Sequence, residues 1–294
     1  MVKLGFVGAG QVGASTVFSC LHLMEPDAIA LVDIQEDFAV GQSLDLAAAA
    51  AGLGNFPDVQ AGSDYEILDD ADIVVTTAGL PRKPGMDRLD LLNKNVGIMG
   101  DVVEQTFENA PDANLLVVAN PVDILTYVAW KQSGLPRNRV FGMGSWHDSM
   151  RLRYILSTMG ATPDAWMLGE HGESMLAAKS IAGTGKDLDW PEVQDKIRGL
   201  AINIIEKKGA TYYAPGVATA NMVQSVVENQ KRVLPTSTVM EGEFGIEGCS
   251  LGVPAVLGAG GMEKVVDPGL DEEDTKNLQA SAEKLKKVLG ELDL

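Results

Sequence analysis

The chain has 294 residues, 46% of them apolar, which allows one large domain or two ordinary domains with a buried core. Its formal net charge of −18 argues against binding to nucleic acid or to an anionic membrane surface, because phosphate groups would be repelled. No apolar run reaches the roughly 18 residues of a membrane span, and the opening "MVKLGFVGAG" lacks the apolar core of a signal peptide.

The first half of the chain alternates short apolar runs with segments of helical length. The apolar runs are bounded by turn residues and predict buried strands at 3–8, 29–33, 73–79, 115–120 and 140–144. The predicted helices between them are 11–24, 36–51, 89–109 and 123–133. This alternation indicates an α/β fold, a doubly wound parallel sheet of Rossmann type.

The second half of the chain has a different pattern. Predicted helices cover 148–160, 191–208 and 211–230, and a strand-rich region follows at 234–266. A last helix is predicted over 272–292, with Asp271 as its N-cap. We therefore expect two domains, residues 1–144 and an α+β domain of residues 145–294.

Two cysteines, Cys20 and Cys249, are too few for a disulfide framework, and both lie in apolar surroundings. We expect both to be reduced thiols of the protein core, which is typical of a cytoplasmic protein.

The segment "GAGQVG" follows the first predicted strand and opens the first predicted helix. In a G-x-G-x-x-G turn, Gly8 permits the tight bend, Gly10 lets backbone N–H groups approach a pyrophosphate, and Gly13 lets helix and strand pack closely. A purely structural glycine turn is the alternative. The predicted cofactor contacts are Gly8, Ala9, Gly10, Gln11, Val12 and Gly13.

Asp33 ends the second predicted strand, 20 residues after Gly13. A carboxylate there can accept hydrogen bonds from the adenosine ribose and would repel a 2′-phosphate, which favours NAD over NADP. The alternative role for Asp33 is a strand-end cap.

The segment "LPRKPGMDR" places two of the chain's eight arginines, Arg82 and Arg88, in a stretch that two prolines and a glycine mark as a loop. The net charge of the chain does not exclude an anionic substrate, provided that a few local cations outweigh it.

His171 lies between two glycines in "LGEHGESM". A metal site would use Glu170, His171 and Glu173, but no second histidine has ligand spacing, so no metal is predicted. A solvated loop histidine is a further alternative, whereas His22 is expected to be a surface or packing residue.

The segment "HDSMRLRY" places Asp148 and Arg151 three residues apart on one helix face. They could form an ordinary surface ion pair. Alternatively, Asp148 could orient a histidine and Arg151 could bind a carboxylate with two hydrogen bonds. The spacing alone does not choose between these roles.

The motifs above, together with "TAGLPRKPGMDRLDLL", "VVANPVDILTY", "DSMR" and "GEHGES", occur in the order typical of the NAD-dependent lactate and malate dehydrogenases. The chain resembles this family over nearly its whole length. The form "RKPGM" is similar to that of malate dehydrogenases in the lactate-dehydrogenase-like branch, and the short length is similar to that of archaeal members.

The resemblance implies a role for each matching residue. His171 matches the catalytic acid/base and Asp148 its carboxylate partner. The matching substrate-binding positions are Arg82, Arg88, Asn120, Arg151 and Thr211. The further cofactor-contacting positions are Asn95, Val118 and Asn120. The family also implies a homo-oligomer, a dimer or a tetramer.

The implied substrate pair is malate and oxaloacetate. Arg151 would bind one carboxylate, Arg82 the other, and Arg88 would polarise the ketone. The two loop arginines would then close over the bound anion and exclude water. NAD would take the hydride from C2 of malate while His171 takes the hydroxyl proton. This malate–oxaloacetate reaction would make the chain an enzyme of the tricarboxylic acid cycle.

Two residues depart from the family pattern. His147 stands where leucine is usual, and Glu173 stands where aspartate is commoner. A second imidazole at position 147 could lower the proton affinity of His171, or it could be a packed or capping residue.

Two other functions remain compatible with the sequence. A lactate or other 2-hydroxy acid dehydrogenase would use the same machinery with a neutral residue at position 82. A non-catalytic NAD sensor would need only the glycine turn and Asp33.

Overall fold

The computed structural model describes residues 1–80 and 88–292. Within these ranges the helices are α1 Gln11–Leu23, α2 Glu36–Gly52, α3 Arg88–Asn109, α4 Val122–Ser133, α5 Ser145–Thr158, α6 Trp190–Lys208, α7 Tyr213–Val227 and α8 Glu272–Leu289. The strands are β1 Lys3–Val7, β2 Ala28–Val32, β3 Asp58–Gly62, β4 Ile73–Thr76, β5 Asn114–Val117, β6 Val140–Gly142, β7 Met167–Leu168, β8 Leu176–Ala177, β9 Arg232–Glu241, β10 Glu247–Gly258 and β11 Gly261–Val265.

The first six strands form a parallel sheet in the order β6-β5-β4-β1-β2-β3. The strand order reverses beside β1, and ligands of doubly wound folds bind at such a reversal, outside the carboxyl ends of the strands. The predicted Rossmann fold is confirmed by this topology. Burial on both faces explains the strongly apolar sequences of the inner strands β1, β4 and β5, which are almost wholly inaccessible to solvent.

The strands of the second half are antiparallel, which confirms the predicted α+β architecture. β9, β10 and β11 continue the large sheet, joined to β6 through the pair Gly142 and Ser237. β7 and β8 form a separate small hairpin. The loop of this hairpin carries His171, so the second half brings that residue toward the end of the parallel sheet.

The structure differs from the predicted elements at several points, including β3, α5 and α7. β3 was not predicted, because "DVQAG" is a half-exposed edge strand without an apolar run. α5 begins at Ser145 rather than at 148, which places the apolar Trp146 inside a buried helical turn. α7 is shorter at both ends than the predicted helix 211–230.

Other predictions are confirmed at the level of single residues. The side chain of Asp271 caps α8 by accepting a 2.7 Å hydrogen bond from the main-chain N–H of Asp274. Cys20 and Cys249 are free and buried, and burial raises the pKa of the Cys249 thiol to about 12. Among the helices of the described ranges, none has the length and apolarity needed to cross a membrane.

Candidate active site

The glycine turn joins β1 to α1 in the geometry that the sequence predicts. Gly8 has a φ of +106°, a value that residues other than glycine rarely adopt. A Cβ atom added to Gly13 would lie 2.0 Å from the carbonyl oxygen of Gly8, whereas one added to Gly10 would meet nothing within 4 Å. Gly13 therefore permits close packing, and Gly10 leaves open space at the N-terminus of α1.

Asp33 follows β2 directly, and the pairing of β1 with β2 brings it to the glycine turn. Its Oδ2 accepts a 2.8 Å hydrogen bond from the N–H of Ala9, and its Oδ1 accepts one of 3.0 Å from the N–H of Gln35. The carboxylate thus caps the chain after the strand and also contacts the turn. Each oxygen keeps a further lone pair for a ligand hydroxyl.

His171, Asp148 and Arg151 come together at the start of α5. Nδ1 of His171 lies 2.6 Å from Oδ2 of Asp148, and Nη1 of Arg151 lies 3.2 Å from Oδ1 of the same carboxylate. The Asp148 side chain is 2% exposed, so the surface ion-pair alternative is wrong. The structure also excludes a freely solvated His171, whose side chain is only 17% exposed.

The charges of this cluster act on one another. Burial alone would raise the pKa of Asp148, but the charge and hydrogen bond of His171, with His147 and Arg151, bring it below its ordinary value. Burial likewise works to lower the pKa of His171, yet Asp148 and then Asp123 raise it above its ordinary value. The pair therefore favours an ionised carboxylate beside an imidazole that binds a proton readily.

Arg151 keeps donors that Asp148 does not use. Its Nε is buried and has no hydrogen-bond partner among the described residues. Its side chain is 10% exposed. A buried, unpartnered guanidinium donor is costly, and an anionic ligand would supply the missing partner.

His147 lies beside this cluster, with its ring centroid 5.9 Å from that of His171. Burial, and then the charges of Arg151 and His171, lowers the pKa of His147 to about 3. His147 is therefore neutral near pH 7 and does not repel a proton on His171. Its Nε2 is buried without a partner among the described residues.

His147, Asp148 and His171 each offer a possible metal ligand atom, and these atoms lie within 4.8 Å of one another. However, the 2.6 Å between His171 Nδ1 and Asp148 Oδ2 is shorter than the roughly 3.3 Å between two tetrahedral zinc ligands. The geometry suits a shared proton better than a shared ion. Glu170, a ligand of the metal site considered from the sequence, instead accepts a hydrogen bond from the Ser174 hydroxyl.

The remaining predicted site residues differ in the contacts that the structure gives them. Asn95 joins two loops at the end of the sheet, accepting a 2.8 Å bond from the N–H of Leu80 and donating one of 3.2 Å to the carbonyl of Asn120. Val118 is buried just after β5. Within residues 1–80 and 88–292, no hydrogen bond or ion pair joins Thr211 to His171, Asp148 or Arg151.

The two arginines of the segment "LPRKPGMDR" cannot be placed in the same way. Arg82 lies outside the described residues, and Arg88 is described only as the first residue of α3. Their roles therefore stay predictions.

One buried group beside His171 is not predicted from the sequence. Asp123, in the first turn of α4, accepts a 2.7 Å hydrogen bond from the main-chain N–H of His171 and one of 2.6 Å from the Ser237 hydroxyl. The signal available in the sequence was an acidic residue inside the otherwise apolar segment "NPVDILTY". Its partner His171 is 48 residues away, so the contact was not predictable from spacing.

Comparisons with known proteins identify the family of the chain. Residues 2–142 match the model of the lactate/malate dehydrogenase NAD binding domain, and residues 148–292 match that of the lactate/malate dehydrogenase alpha/beta C-terminal domain. The predicted use of NAD as cofactor is confirmed by the first match.

Similar proteins cover essentially the whole chain. A malate dehydrogenase of Archaeoglobus fulgidus is 50% identical over 99% of both chains, and an L-lactate dehydrogenase of Lactobacillus helveticus is 38% identical over 98% of this chain and 94% of its own. The solved structure of malate dehydrogenase from Archaeoglobus fulgidus in complex with NADH superposes with a TM-score of 0.97 at 49% identity, covering all of both chains. This chain belongs to the lactate/malate dehydrogenase family.

Proposed function

We propose that the chain is a malate dehydrogenase, which interconverts (S)-malate and oxaloacetate with NAD. The observation that carries the proposal is the Asp148 carboxylate, which binds His171 through one oxygen and Arg151 through the other. This arrangement places a proton-transferring group beside a carboxylate-binding group, as the oxidation of a 2-hydroxy acid requires. The relative with 50% identity that is named malate dehydrogenase supports this substrate.

NAD would be held at the carboxyl end of the parallel sheet. The open space at Gly10 and the free N-terminus of α1 suit a pyrophosphate, and Asp33 suits the ribose hydroxyls. Val118, Asn95 and Asn120 follow along the same edge. In this assignment residues 1–144 hold the cofactor and residues 145–294 supply His171 and Arg151.

Proton transfer is the part of the reaction that this chain performs. When bound, NAD supplies the hydride acceptor. Neutral His171 accepts the hydroxyl proton of malate at Nε2 while Nδ1 stays bonded to Asp148, whose negative charge stabilises the imidazolium. In the opposite direction, protonated His171 donates to the ketone oxygen of oxaloacetate.

The arginines select the substrate. Arg151 binds the carboxylate next to the reacting carbon, Arg82 binds the distal carboxylate, and Arg88 stabilises charge on the ketone oxygen. These three cations reverse locally the field of a chain whose net charge is −18. Lactate has a methyl group where malate has a CH2–COO⁻ group, so it would leave Arg82 without a partner.

We also propose a cytoplasmic homo-oligomer, a dimer or a tetramer, that acts in the tricarboxylic acid cycle and binds no nucleic acid. Large apolar side chains are exposed on three neighbouring helices, namely Phe18 on α1, Leu44 on α2 and Tyr213 on α7, at 46%, 67% and 69%. Exposed apolar groups on adjacent elements are typical of a protein interface. Sedimentation analysis would give the number of subunits.

Oxidation of NADH in the presence of oxaloacetate tests the proposed activity. The purified chain should oxidise NADH only when oxaloacetate is added, and His171→Asn should lower turnover by about 10²–10⁴-fold while NADH still binds. Binding of NADH without substrate-dependent turnover in the unaltered chain would favour the NAD-sensor alternative.

A further inference from the structure

Asp123 is a buried carboxylate to which the chemistry above assigns no part. The residue is 3% exposed. Oδ2 accepts a 2.7 Å hydrogen bond from the main-chain N–H of His171, and Oδ1 accepts one of 2.6 Å from the Ser237 hydroxyl. The Ser250 hydroxyl donates to the main-chain carbonyl of Asp123. Asp123 thus connects α4 to β9, to β10 and to the loop that carries His171.

His171 therefore faces a carboxylate on two sides, with Asp148 at its ring and Asp123 at its main chain. Burial raises the pKa of Asp123 to about 6, against the opposing effect of the hydrogen bonds from Ser237 and His171. Above that pH the group is charged, and its charge raises the pKa of His171.

Besides Asp148, four other ionisable groups lie around Asp123 and His171. Glu170 raises the pKa of Asp123, and Arg151 works to lower that of His171. His147 is neutral, since its pKa is lowered to about 3 by burial and then by Arg151 and His171. Cys249 on β10 is a neutral thiol, because burial raises its pKa to about 12. Asp148 and Asp123 are thus the two anions that support the charged form of His171.

We propose that Asp123 is a positioning residue that fixes the main chain of His171 and, through its negative charge, keeps the His171 ring protonated to higher pH. Oxaloacetate reduction, which needs protonated His171, would then continue at a pH where an isolated histidine is neutral. The kinetic consequence rests on the proposed function, whereas the electrostatic effect on His171 does not.

The variant Asp123→Asn separates charge from shape. Its amide oxygen can still accept from the N–H of His171, and its amide nitrogen can face Ser237, so the hydrogen bonds are kept and the charge is lost. The pH midpoint above which kcat/KM for oxaloacetate falls should move toward acid by about one pH unit, with little change at lower pH. An equal loss at every pH with an unmoved midpoint would mean a structural role only and would overturn the proposal.

Two serine variants form a matched pair. They test the effect of Asp123 on His171 even if Asp123→Asn does not fold. Ser237→Ala removes a donor to the carboxylate, which raises the pKa of Asp123 and should shift the His171 midpoint toward acid by a smaller amount. Ser250→Ala removes an equally buried hydroxyl that contacts only the main chain of Asp123 and should leave the midpoint unchanged. Equal shifts in both variants would contradict the proposal.

Titration by NMR gives a readout that needs no substrate. The chain has three histidines, so His22→Asn and His147→Leu variants suffice to assign the ring signals of His171. A lower His171 midpoint in Asp123→Asn supports the inference even if the enzyme does not reduce oxaloacetate, in which case only the proposed function fails. An unmoved midpoint in an active enzyme overturns the inference alone.

Discussion

The carboxylate of Asp148 lies 2.6 Å from Nδ1 of His171, and the Asp148 side chain is 2% exposed. A buried carboxylate at this distance both orients the ring and stabilises its charged form. Asp148→Asn removes the charge from a nearly isosteric side chain. We expect kcat for oxaloacetate reduction to fall by about two orders of magnitude or more, and the pH midpoint of the reaction to move toward acid, because the pKa of His171 is no longer raised.

The control for Asp148→Asn is Asp274→Asn, which also neutralises a buried carboxylate but one bonded to Ser180 near α8. Kinetic measurements across pH on both variants provide the comparison. Normal turnover in Asp148→Asn would remove Asp148 from the mechanism.

Alanine substitutions at Gly13 and Gly10 of the glycine turn should affect different properties, stability in the first case and NADH binding in the second. Gly13→Ala places a Cβ atom 2.0 Å from the Gly8 carbonyl oxygen and should lower the free energy of unfolding by about 1–3 kcal/mol. Gly10→Ala meets open space in the protein, so it should fold normally yet bind NADH about tenfold more weakly, since the methyl group obstructs the pyrophosphate. Denaturant unfolding and NADH titration measure the two effects, and unaltered NADH affinity in Gly10→Ala would place the pyrophosphate elsewhere.

Asp33→Ser should raise the affinity for NADP relative to NAD. The substitution removes the charge that repels a 2′-phosphate while leaving a short polar side chain near the N–H of Ala9. Asp37→Ser, which neutralises an exposed carboxylate at the start of α2, is the matched control. The measurement is the ratio of kcat/KM for the two cofactors, and an unchanged ratio would mean that Asp33 does not contact the ribose.

The sequence predicts contacts between residues of one local motif, but it does not predict contacts between segments that are far apart in the chain. "GAGQVG" and Asp33 are joined by one strand–helix–strand unit, so their juxtaposition follows from the fold. Asp123 and Ser237 are 114 residues apart, and β3 has no apolar run to mark it. Contacts of this kind depend on how β9 packs against α4. No local sequence pattern predicts that packing.

The start of α5 at Ser145 is another feature that the sequence alone does not predict. The sequence alone does not decide whether His147 acts on His171, whereas the structure places His147 in a buried helical turn, where its imidazole is neutral. The departure from the family's leucine at this position is therefore interpretable only once the burial of that turn is known.

His147→Leu should leave turnover and its pH midpoint nearly unchanged, because a group with a pKa of about 3 is uncharged in the working range. The variant should be more stable, by about 1 kcal/mol at pH 8, because a buried unpartnered nitrogen is removed. This difference should widen as the pH falls below about 6.5, since the unfolded chain then takes up a proton that the folded protein rejects.

Unfolding by denaturant between pH 5 and pH 8 measures this widening, and substitution of the exposed His22 by leucine should not reproduce it. A folded but inactive His147→Leu variant would show that His147 takes part in the reaction.

Arg82→Gln should lower the preference for oxaloacetate over pyruvate, because oxaloacetate turnover falls while pyruvate turnover rises. Leaving the distal carboxylate of oxaloacetate unpaired should cost about 3–5 kcal/mol, or a factor of about 10²–10⁴ in kcat/KM. Pyruvate turnover should improve, because its methyl group no longer faces an uncompensated arginine. Arg82→Lys should rescue oxaloacetate poorly, since an ammonium group lacks the bidentate geometry.

Lys83→Gln removes one positive charge from the next residue along the chain and should leave the preference between the two oxoacids as it is. Equal losses for both substrates in Arg82→Gln would mean that Arg82 acts on folding or on the loop rather than on specificity.

The ratio of kcat/KM for oxaloacetate to that for pyruvate, measured with NADH at one fixed salt concentration, tests the proposed function most directly. If Arg82 and Arg151 each bind a carboxylate, oxaloacetate should be preferred by about two orders of magnitude or more, the factor expected for a buried charge pair. Equal rates, or a preference for pyruvate, would contradict the malate dehydrogenase assignment and favour a lactate dehydrogenase.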